Sequence, residues 1–323
     1  MPIKTNQKNS VSSVNNKTGD VVLNASDVGA LPIDTKIPTK TSELENDTLV
    51  AKEEGKSLIA DNEIERLAAV TNYDDTEVKE SIEELSSNLA ASNAGAHNCV
   101  YRGKYLGNAL TTEQKAQISA GTFNDLYIGD YWTIGGVNYR IAAFDYWLNS
   151  GDIQCTEHHI VVIPDTCLYT ANMNDTNITT GAYVGSKMYT ENLNEAKTTI
   201  RNAFGTANIL THRELLTNTI SENRATDLSW YDSDIELMNE SMVYGSPVGS
   251  KAVDNSINFN VGIDKSQLAL FRLDPSRICN RAHWWLRCVV SSTYFALVSN
   301  FGGAIHTDAS SVFGVRPAFG IKG

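Results

Sequence analysis

The chain has 323 residues, 41% hydrophobic and 20% charged, enough for two or three folded domains and too apolar for a disordered protein. A net charge of −12 argues against a phosphate-backbone partner, and no stretch supplies the roughly 20 apolar residues of a membrane helix. The N-terminus, MPIKTNQKNSVSS, has no apolar h-region of a secretory signal, so folding in a cytoplasm is expected. Five cysteines (Cys99, Cys155, Cys167, Cys279, Cys288) are odd in number and irregularly spaced, so free thiols, most of them buried, are expected.

Aromatic residues divide the chain: of 27 Phe, Tyr and Trp, only Tyr73 precedes residue 101. A core without large side chains is hard to build, so residues 1–96 are not expected to be globular. Nine basic and seventeen acidic residues in 1–96 also give this part −8 of the total charge. Within 1–50, Asn15–Gly19 reads as a turn and Val21–Leu23 as a short apolar strand, while Pro32 and Pro38 bar a long helix. The composition fits either a linker or a strand-rich piece that needs identical neighbours. The string SVNNKTGDVVLNASDVGA…IPTKTSELEND (14–48) resembles an element common in phage tail-fibre and baseplate proteins, with Asn16 where Gly is usual. The resemblance implies a trimeric, virion-proximal attachment region.

In 51–96 the apolar spacing changes. Val78, Ile82, Leu85 and Leu89 follow the 4-3-4 spacing of a coiled-coil seam, which breaks near 71–75. Asp74 followed by Glu77 reads as a helix start. Two short helices are expected, at about 57–70 and 75–92, with SNAGA (92–96) as a flexible joint. They form either an oligomeric shaft or one amphipathic helix lying on the globular part.

Residues 97–323 carry all five Trp and read as one α+β domain. DYWTIGGVNYRIAAF (130–144) is a hairpin with a Gly135-Gly136 turn, and Ile160–Ile163 is a buried strand ended by Pro164. Lys187–Phe204 is a helix, with Met188, Leu193, Ala196, Ile200 and Phe204 on one face. Arg213–Ile220 reads as a second helix, Ile235–Val243 as helix or strand, 245–258 as loop, and Gln267–Phe271 as a strand. A Trp-Trp-Leu-Arg strand then leads into short strands around Gly302-Gly303 and a closing Gly314-Val315-Arg316-Pro317-Ala318-Phe319. Arg287 and Arg316 are expected to tie the flanks of this segment to backbone or carboxylate oxygens, the alternative being surface ion pairs worth little.

Trp285-Leu286-Arg287 and Gly314–Phe319, with DYWTIGGVNYRIAAFDYWL and NRAHWWLR upstream, resemble the C-type-lectin-like domains of phage and prophage tail proteins. That group includes the variable proteins of diversity-generating retroelements, such as the phage major tropism determinant. The resemblance covers roughly 97–323 and implies that the segment between the two anchors contacts a ligand. Such retroelements mutate template adenines, which turns AAC or AAT codons into NNC or NNT; that set never specifies Lys, Glu, Gln, Met or Trp. None of the five occurs in the 26 positions 289–314, whereas ordinary sequence would hold roughly a fifth.

Small or apolar Ala296, Leu297, Val298, Gly302, Gly303, Ala309 and Gly314 are expected as scaffold. Ser292, Thr293, Tyr294, Ser299, Asn300, Phe301, Ile305, His306, Thr307, Asp308, Ser311, Val312 and Phe313 are the expected ligand contacts, offering adaptable hydrogen bonds and rigid aromatic area. Exposed Tyr294, Phe301, Ile305, Val312 and Phe313 would form an apolar patch that needs a partner.

Enzymatic motifs are missing: no GxSxG, HExxH, P-loop or GxGxxG. Cys155, His158 and His159 lie close in sequence, but adjacent histidines on a strand point opposite ways and no second cysteine pair follows, so no metal or other cofactor is expected. The Glu-Pro-Asn, Gln-Pro-Asp and Trp-Asn-Asp runs of calcium-dependent lectins do not occur either. The expected architecture is α+β. A C-type-lectin-like domain (97–323) follows a short trimeric coiled-coil shaft and linker (51–96) and a fibre-like segment (1–50). The expected function is receptor binding at a phage tail tip, without catalysis. The partners are a host-surface protein or glycan, tail or baseplate proteins through the N-terminus, and two further copies of the chain. Rival readings are a bacterial adhesin, a purely structural fibre, and an oxidase of the formylglycine-generating type using Cys279 and Cys288.

Overall fold

The computed structural model describes residues 13, 16–18, 20–30, 62–63, 65–67, 74–90, 94–221, 224–250 and 266–323. The chain divides into two units, Met1–Lys79 and Glu80–Gly323. In the first, Asn16 sits at φ 64°, and Asn24 caps a 3-10 turn (Ala25–Val28) by accepting the amides of Ser26 and Asp27 at 3.1 Å. The Lys17 ammonium lies 2.5 Å from the Asp27 carboxylate. Val21–Leu23, expected as a strand, is not in one: among the described residues nothing pairs with it, and Val22 remains 85% exposed. Pro32 and Pro38 lie outside the described residues, as does most of the expected 57–70 helix, of which 62–63 and 65–67 are helical.

Helix α1 (Thr76–Ala90) starts where Asp74 accepts the Thr76 amide at 3.0 Å. Its seam residues Val78, Ile82 and Leu85 are all exposed; the Leu89 side chain lies outside the described set. The joint expected at 92–96 is in part a helical turn, α2 (Ala94–His97). The reason is tertiary: buried His97 reaches the Leu126 carbonyl at 2.9 Å and packs its ring near Phe123 and Phe144.

The second unit is mixed α+β and mostly sheet. A six-stranded sheet has the order β1-β2-β3-β4-β13-β8, from β1 (Tyr105–Gly107), β2 (Tyr131–Ile134), β3 (Val137–Phe144), β4 (His159–Pro164), β8 (Ile235–Leu237) and β13 (Pro317–Lys322). The β2–β3 hairpin turns on Gly135 and Gly136, both at positive φ (59° and 81°), the conformation a tight two-residue turn demands. Helix α3 (Thr112–Ser119) begins in a capping box between Thr111 and Gln114. The run 187–204 splits into a π-helical turn (Met188–Asn192) and α4 (Asn194–Phe204), burying the five apolar residues expected on its inner face.

A five-stranded sheet has the order β11-β10-β9-β12-β5, from β5 (Tyr169–Asn172), β9 (Trp284–Val289), β10 (Tyr294–Val298), β11 (Ala304–Asp308) and β12 (Val312–Val315). Its two faces feed two separate cores. Trp284, Leu286, Ala296 and Val298 enter one; Trp285, Val289, Phe295, Leu297 and Val315 enter the other. Burial on both faces explains why β9 and β10 read as continuous apolar runs rather than alternating ones.

Two expectations are corrected. Arg213–Ile220 is not a helix but most of β6 (His212–Ser221), which pairs antiparallel with β7 (Arg224–Ser233). His212, Glu214 and Leu216 are buried while their neighbours are half-exposed, a period of two that polar Glu214 disguised. Gln267–Phe271 is not a strand: Leu268 enters α6 (Ala269–Leu273), and the short apolar run carried no period that could separate helix from strand. The short segment left open at 235–243 is β8 followed by α5 (Glu240–Tyr244), whose cap is Asn239. All five cysteines are free, but Cys155 alone is buried as a residue; Cys99 is exposed and the others are partly covered. Among the described residues no helix is long and apolar enough to cross a membrane.

Gly314 in β12 marks the tightest approach. A Cβ there would lie 2.2 Å from Cys167 Sγ and 2.9 Å from the His283 carbonyl, whereas at exposed Gly303 it would meet nothing nearer than Ser299 Oγ at 3.5 Å. Gly314→Ala should lower unfolding stability by about 1–3 kcal/mol in urea titrations, with partial recovery when Cys167→Ala is added. Gly303→Ala should change it by no more than about 0.5 kcal/mol.

Candidate functional site

The hairpin β10–β11 carries most of the expected contact residues at the edge of the five-stranded sheet. Directly paired positions are Tyr294 with Asp308, Ala296 with His306, Leu297 with Ile305 and Val298 with Ala304. Side chains of paired residues share a face and alternate along each strand. Tyr294, His306 and Asp308 therefore project on one face and Ile305 and Thr307 on the other. Phe313 joins the second face, with its ring 5.4 Å from Trp285 and 5.2 Å from His283. Ser292 and Thr293 lie in the turn before β10, and Ser299, Asn300 and Phe301 in the turn after it.

None of the thirteen residues is buried. Ser292, Tyr294, Phe301, Ile305, His306 and Val312 are exposed; Thr293, Ser299, Asn300, Thr307, Asp308, Ser311 and Phe313 are half-buried. Between them Ala296, Leu297, Val298 and Ala309 are fully buried. The register divides the exposed apolar side chains: Phe301, 76% exposed, stands in the far turn, and Ile305 and Val312 belong to different faces and to strands that are not neighbours. One continuous apolar patch is not what the sheet builds.

Several of these residues use their polar atoms internally. Ser299 Oγ accepts the amides of Phe301 (3.3 Å) and Gly303 (3.0 Å), and the Asn300 carbonyl accepts the Cys279 thiol at 3.2 Å. The Ser292 carbonyl accepts the Thr179 amide at 3.1 Å. By contrast the Tyr294 hydroxyl, the His306 ring nitrogens and the Asp308 carboxylate make no hydrogen bond or ion pair among the described residues. The Tyr294 and His306 rings lie 5.3 Å apart, tilted by 31°.

A neighbour that the sequence did not point to flanks this face. The buried Glu240 carboxylate accepts the amides of Val248 (3.2 Å), Gly249 (2.7 Å) and Ser250 (3.0 Å), as well as the Ser250 hydroxyl. Three successive amides around a carboxylate fix the loop. A methyl on Gly249 would stand 3.9 Å from His306 Nδ1, and the Tyr244 hydroxyl donates to the Gly302 carbonyl at 3.1 Å. Only tertiary contact brings 240–250 beside 302–306, so no local motif could have announced it.

Behind the sheet lies a buried polar network. Arg287 Nη1 donates to Glu214 Oε2 at 2.5 Å and to the Leu237 carbonyl at 3.3 Å, joining β9 to the β6–β7 hairpin. Burial alone would raise the Glu214 pKa; Arg287 and His212 outweigh it and hold the carboxylate well below its usual range. Glu236 accepts the Tyr183 hydroxyl at 2.6 Å with Lys197 at 3.6 Å, and burial pushes its pKa up to about 7 against those partners. His212 stacks on Trp147, centroids 3.9 Å apart, and His159 stacks on Trp147 at 5.6 Å. Burial draws His159 down to about 4, and its Nε2 accepts the Trp147 amide at 3.0 Å, which assigns the ring proton to Nδ1, facing the Glu157 carbonyl. The space among Trp147, His212, Glu214, Glu236 and Arg287 is too narrow for a water molecule.

Arg316 occupies the crossover from β12 to β13. Its guanidinium is fully buried, bonds the carbonyls of Pro164 (2.9 Å) and Arg277 (3.0 Å), and lies 5.0 Å from the Trp284 ring centroid. Both arginines thus anchor the segment as expected, and neither is a surface ion pair. His158, partly exposed, bonds Asp145 at 2.7 Å, while His159 is wholly buried. Among the described residues no group of three His, Cys, Asp or Glu is placed to hold a metal ion.

Two consequences are measurable. Arg287→Ala strands the Glu214 carboxylate in the interior and should cost about 3–5 kcal/mol in chemical denaturation, much of it recovered by adding Glu214→Gln. For Glu236, folding takes up a proton between the ordinary 4.5 and the raised value near 7, so its contribution is full below about pH 4.5 and fades as pH climbs through 7. Glu236→Gln should then raise stability by about 2 kcal/mol at pH 8 and leave it nearly unchanged at pH 4. A gain equal at both pH values would contradict the raised pKa.

Compared with known protein families, with curated proteins and with solved structures, the chain matches none of them.

Proposed function

We propose that the chain is the receptor-binding protein of a phage tail: a C-type-lectin-like domain displays changeable side chains to a host-surface ligand and catalyses nothing. One observation carries the reading. Thirteen residues drawn from the set reachable by adenine mutagenesis all remain at least partly solvent-exposed, interleaved with the wholly buried scaffold of Ala296, Leu297, Val298 and Ala309. Apart from Phe313, which packs against the second core, side chains placed so can be exchanged without repacking a core. The reading includes a virion tail-tip location, attachment to tail or baseplate proteins through 1–50, and assembly as a homotrimer. Exposed Val78, Ile82 and Leu85 on α1 support an oligomeric shaft, since an apolar row left in water favours association.

The oxidase alternative would use Cys279 and Cys288, and of the two the Cys288 thiol is disfavoured as a nucleophile. Burial, reinforced by Glu240, pushes that thiol up to about 12, and its sulfur accepts the Glu240 amide at 3.2 Å. A thiol in that state is a poor nucleophile at neutral pH.

Replacing Tyr294, Phe301, Ile305, His306, Asp308 and Val312 together should abolish retention on bacterial cells while the melting temperature stays within a few degrees of the parent, about 0.5 kcal/mol per surface site. Retention unchanged by the six substitutions would remove the site. Light scattering on the full chain should give about three times its 35.3 kDa; a monomer would remove the shaft.

A further inference from the structure

On the face of the β10–β11 hairpin flanked by the Glu240-clamped loop, three groups converge with their polar atoms unspent. Tyr294 and His306 make a tilted platform with ring centroids 5.3 Å apart. Asp308 stands directly across the ladder from Tyr294 on the same face. Gly249, whose loop is fixed by the buried Glu240, lies near enough that a methyl on it would stand 3.9 Å from His306 Nδ1. The Tyr294 hydroxyl, the His306 nitrogens and the Asp308 carboxylate have no partner among the described residues, so each is available to a ligand.

The charges of this stretch limit what that ligand is. Residues 289–315 contain no Lys or Arg, and Asp308 is the one carboxylate. From this stretch a phosphate-rich polymer would meet no fixed cation and one like charge, an arrangement opposite to the usual recognition of phosphate. An ammonium group is best held where several aromatic faces surround it. Tyr294 and His306, both exposed, offer a single platform. A flat ring with C–H groups on one face and hydroxyls at its rim fits what remains: carbon against the aromatic faces, hydroxyls donating to Asp308 and exchanging hydrogen bonds with Tyr294 and His306.

We infer that the Tyr294–His306–Asp308 face binds a saccharide, a neutral polyhydroxylated ring of the bacterial surface. The inference rests on the receptor-binding reading and names the class of receptor.

The test uses the purified full chain on a panel of bacterial cells to which it is retained. Periodate, which cleaves vicinal diols, should abolish retention; prior protease treatment and added polyglycerol phosphate should not. Tyr294→Ala and Asp308→Asn should each weaken retention by roughly tenfold or more, with unchanged melting temperatures. Retention that survives periodate, that protease removes, that polyglycerol phosphate competes away, or that both variants keep at the parent level overturns the saccharide assignment and leaves receptor binding standing. Retention on no cell of the panel removes the receptor-binding reading, and the saccharide with it.

Discussion

Trp284 and Trp285 are neighbours in the chain and belong to different cores, because β9 runs through the molecule with both faces covered. A strand held in this way cannot slip by one residue without exchanging the contents of the two cores. Its partners inherit the constraint. β10 sends Ala296 and Val298 to one side and Phe295 and Leu297 to the other, and β12 is held at Gly314 against the His283 carbonyl. Everything the edge hairpin displays is positioned by that central registration.

The two buried arginines serve the same end from different directions. Arg287 leaves the doubly covered strand to reach Glu214 and the backbone of β8, and so fixes the β6–β7 hairpin to the sheet. Arg316 stands where the chain passes from the five-stranded sheet to the six-stranded one, and burial draws its pKa down to about 10, which still leaves it cationic at neutral pH. Each charge satisfies several acceptors at once, the condition under which an interior charge is tolerated. Glu240 applies the same chemistry with the sign reversed, a buried carboxylate surrounded by amides of its own loop.

What could be read in the sequence was local. The β2–β3 hairpin is written in Gly135-Gly136 between apolar runs, the α4 face in the spacing from Met188 to Phe204, and the start of α1 in Asp74. The misread segments are those whose conformation is set by distant partners. Glu214 interrupts what would otherwise look like an alternating strand, and it is tolerated on the buried face because Arg287, 73 positions away, neutralises it. SNAGA reads as a joint until Leu126, Phe123 and Phe144 close over His97. For the candidate site, exposure followed from residue type, but the division between two faces did not, since it depends on which residues pair across β10 and β11. The wall provided by 248–250 was out of reach for the same reason.

β11 lies at the outer margin of its sheet, bonded along one side to β10 and, among the described residues, to no other strand. A substitution there disturbs a single ladder and little packing, so its thermodynamic penalty is small compared with the same change in β9. That position works as a shock absorber for mutation. Changes at Ile305, His306, Thr307 and Asp308 are therefore felt at the periphery, while the tryptophan-lined interior keeps one conformation throughout.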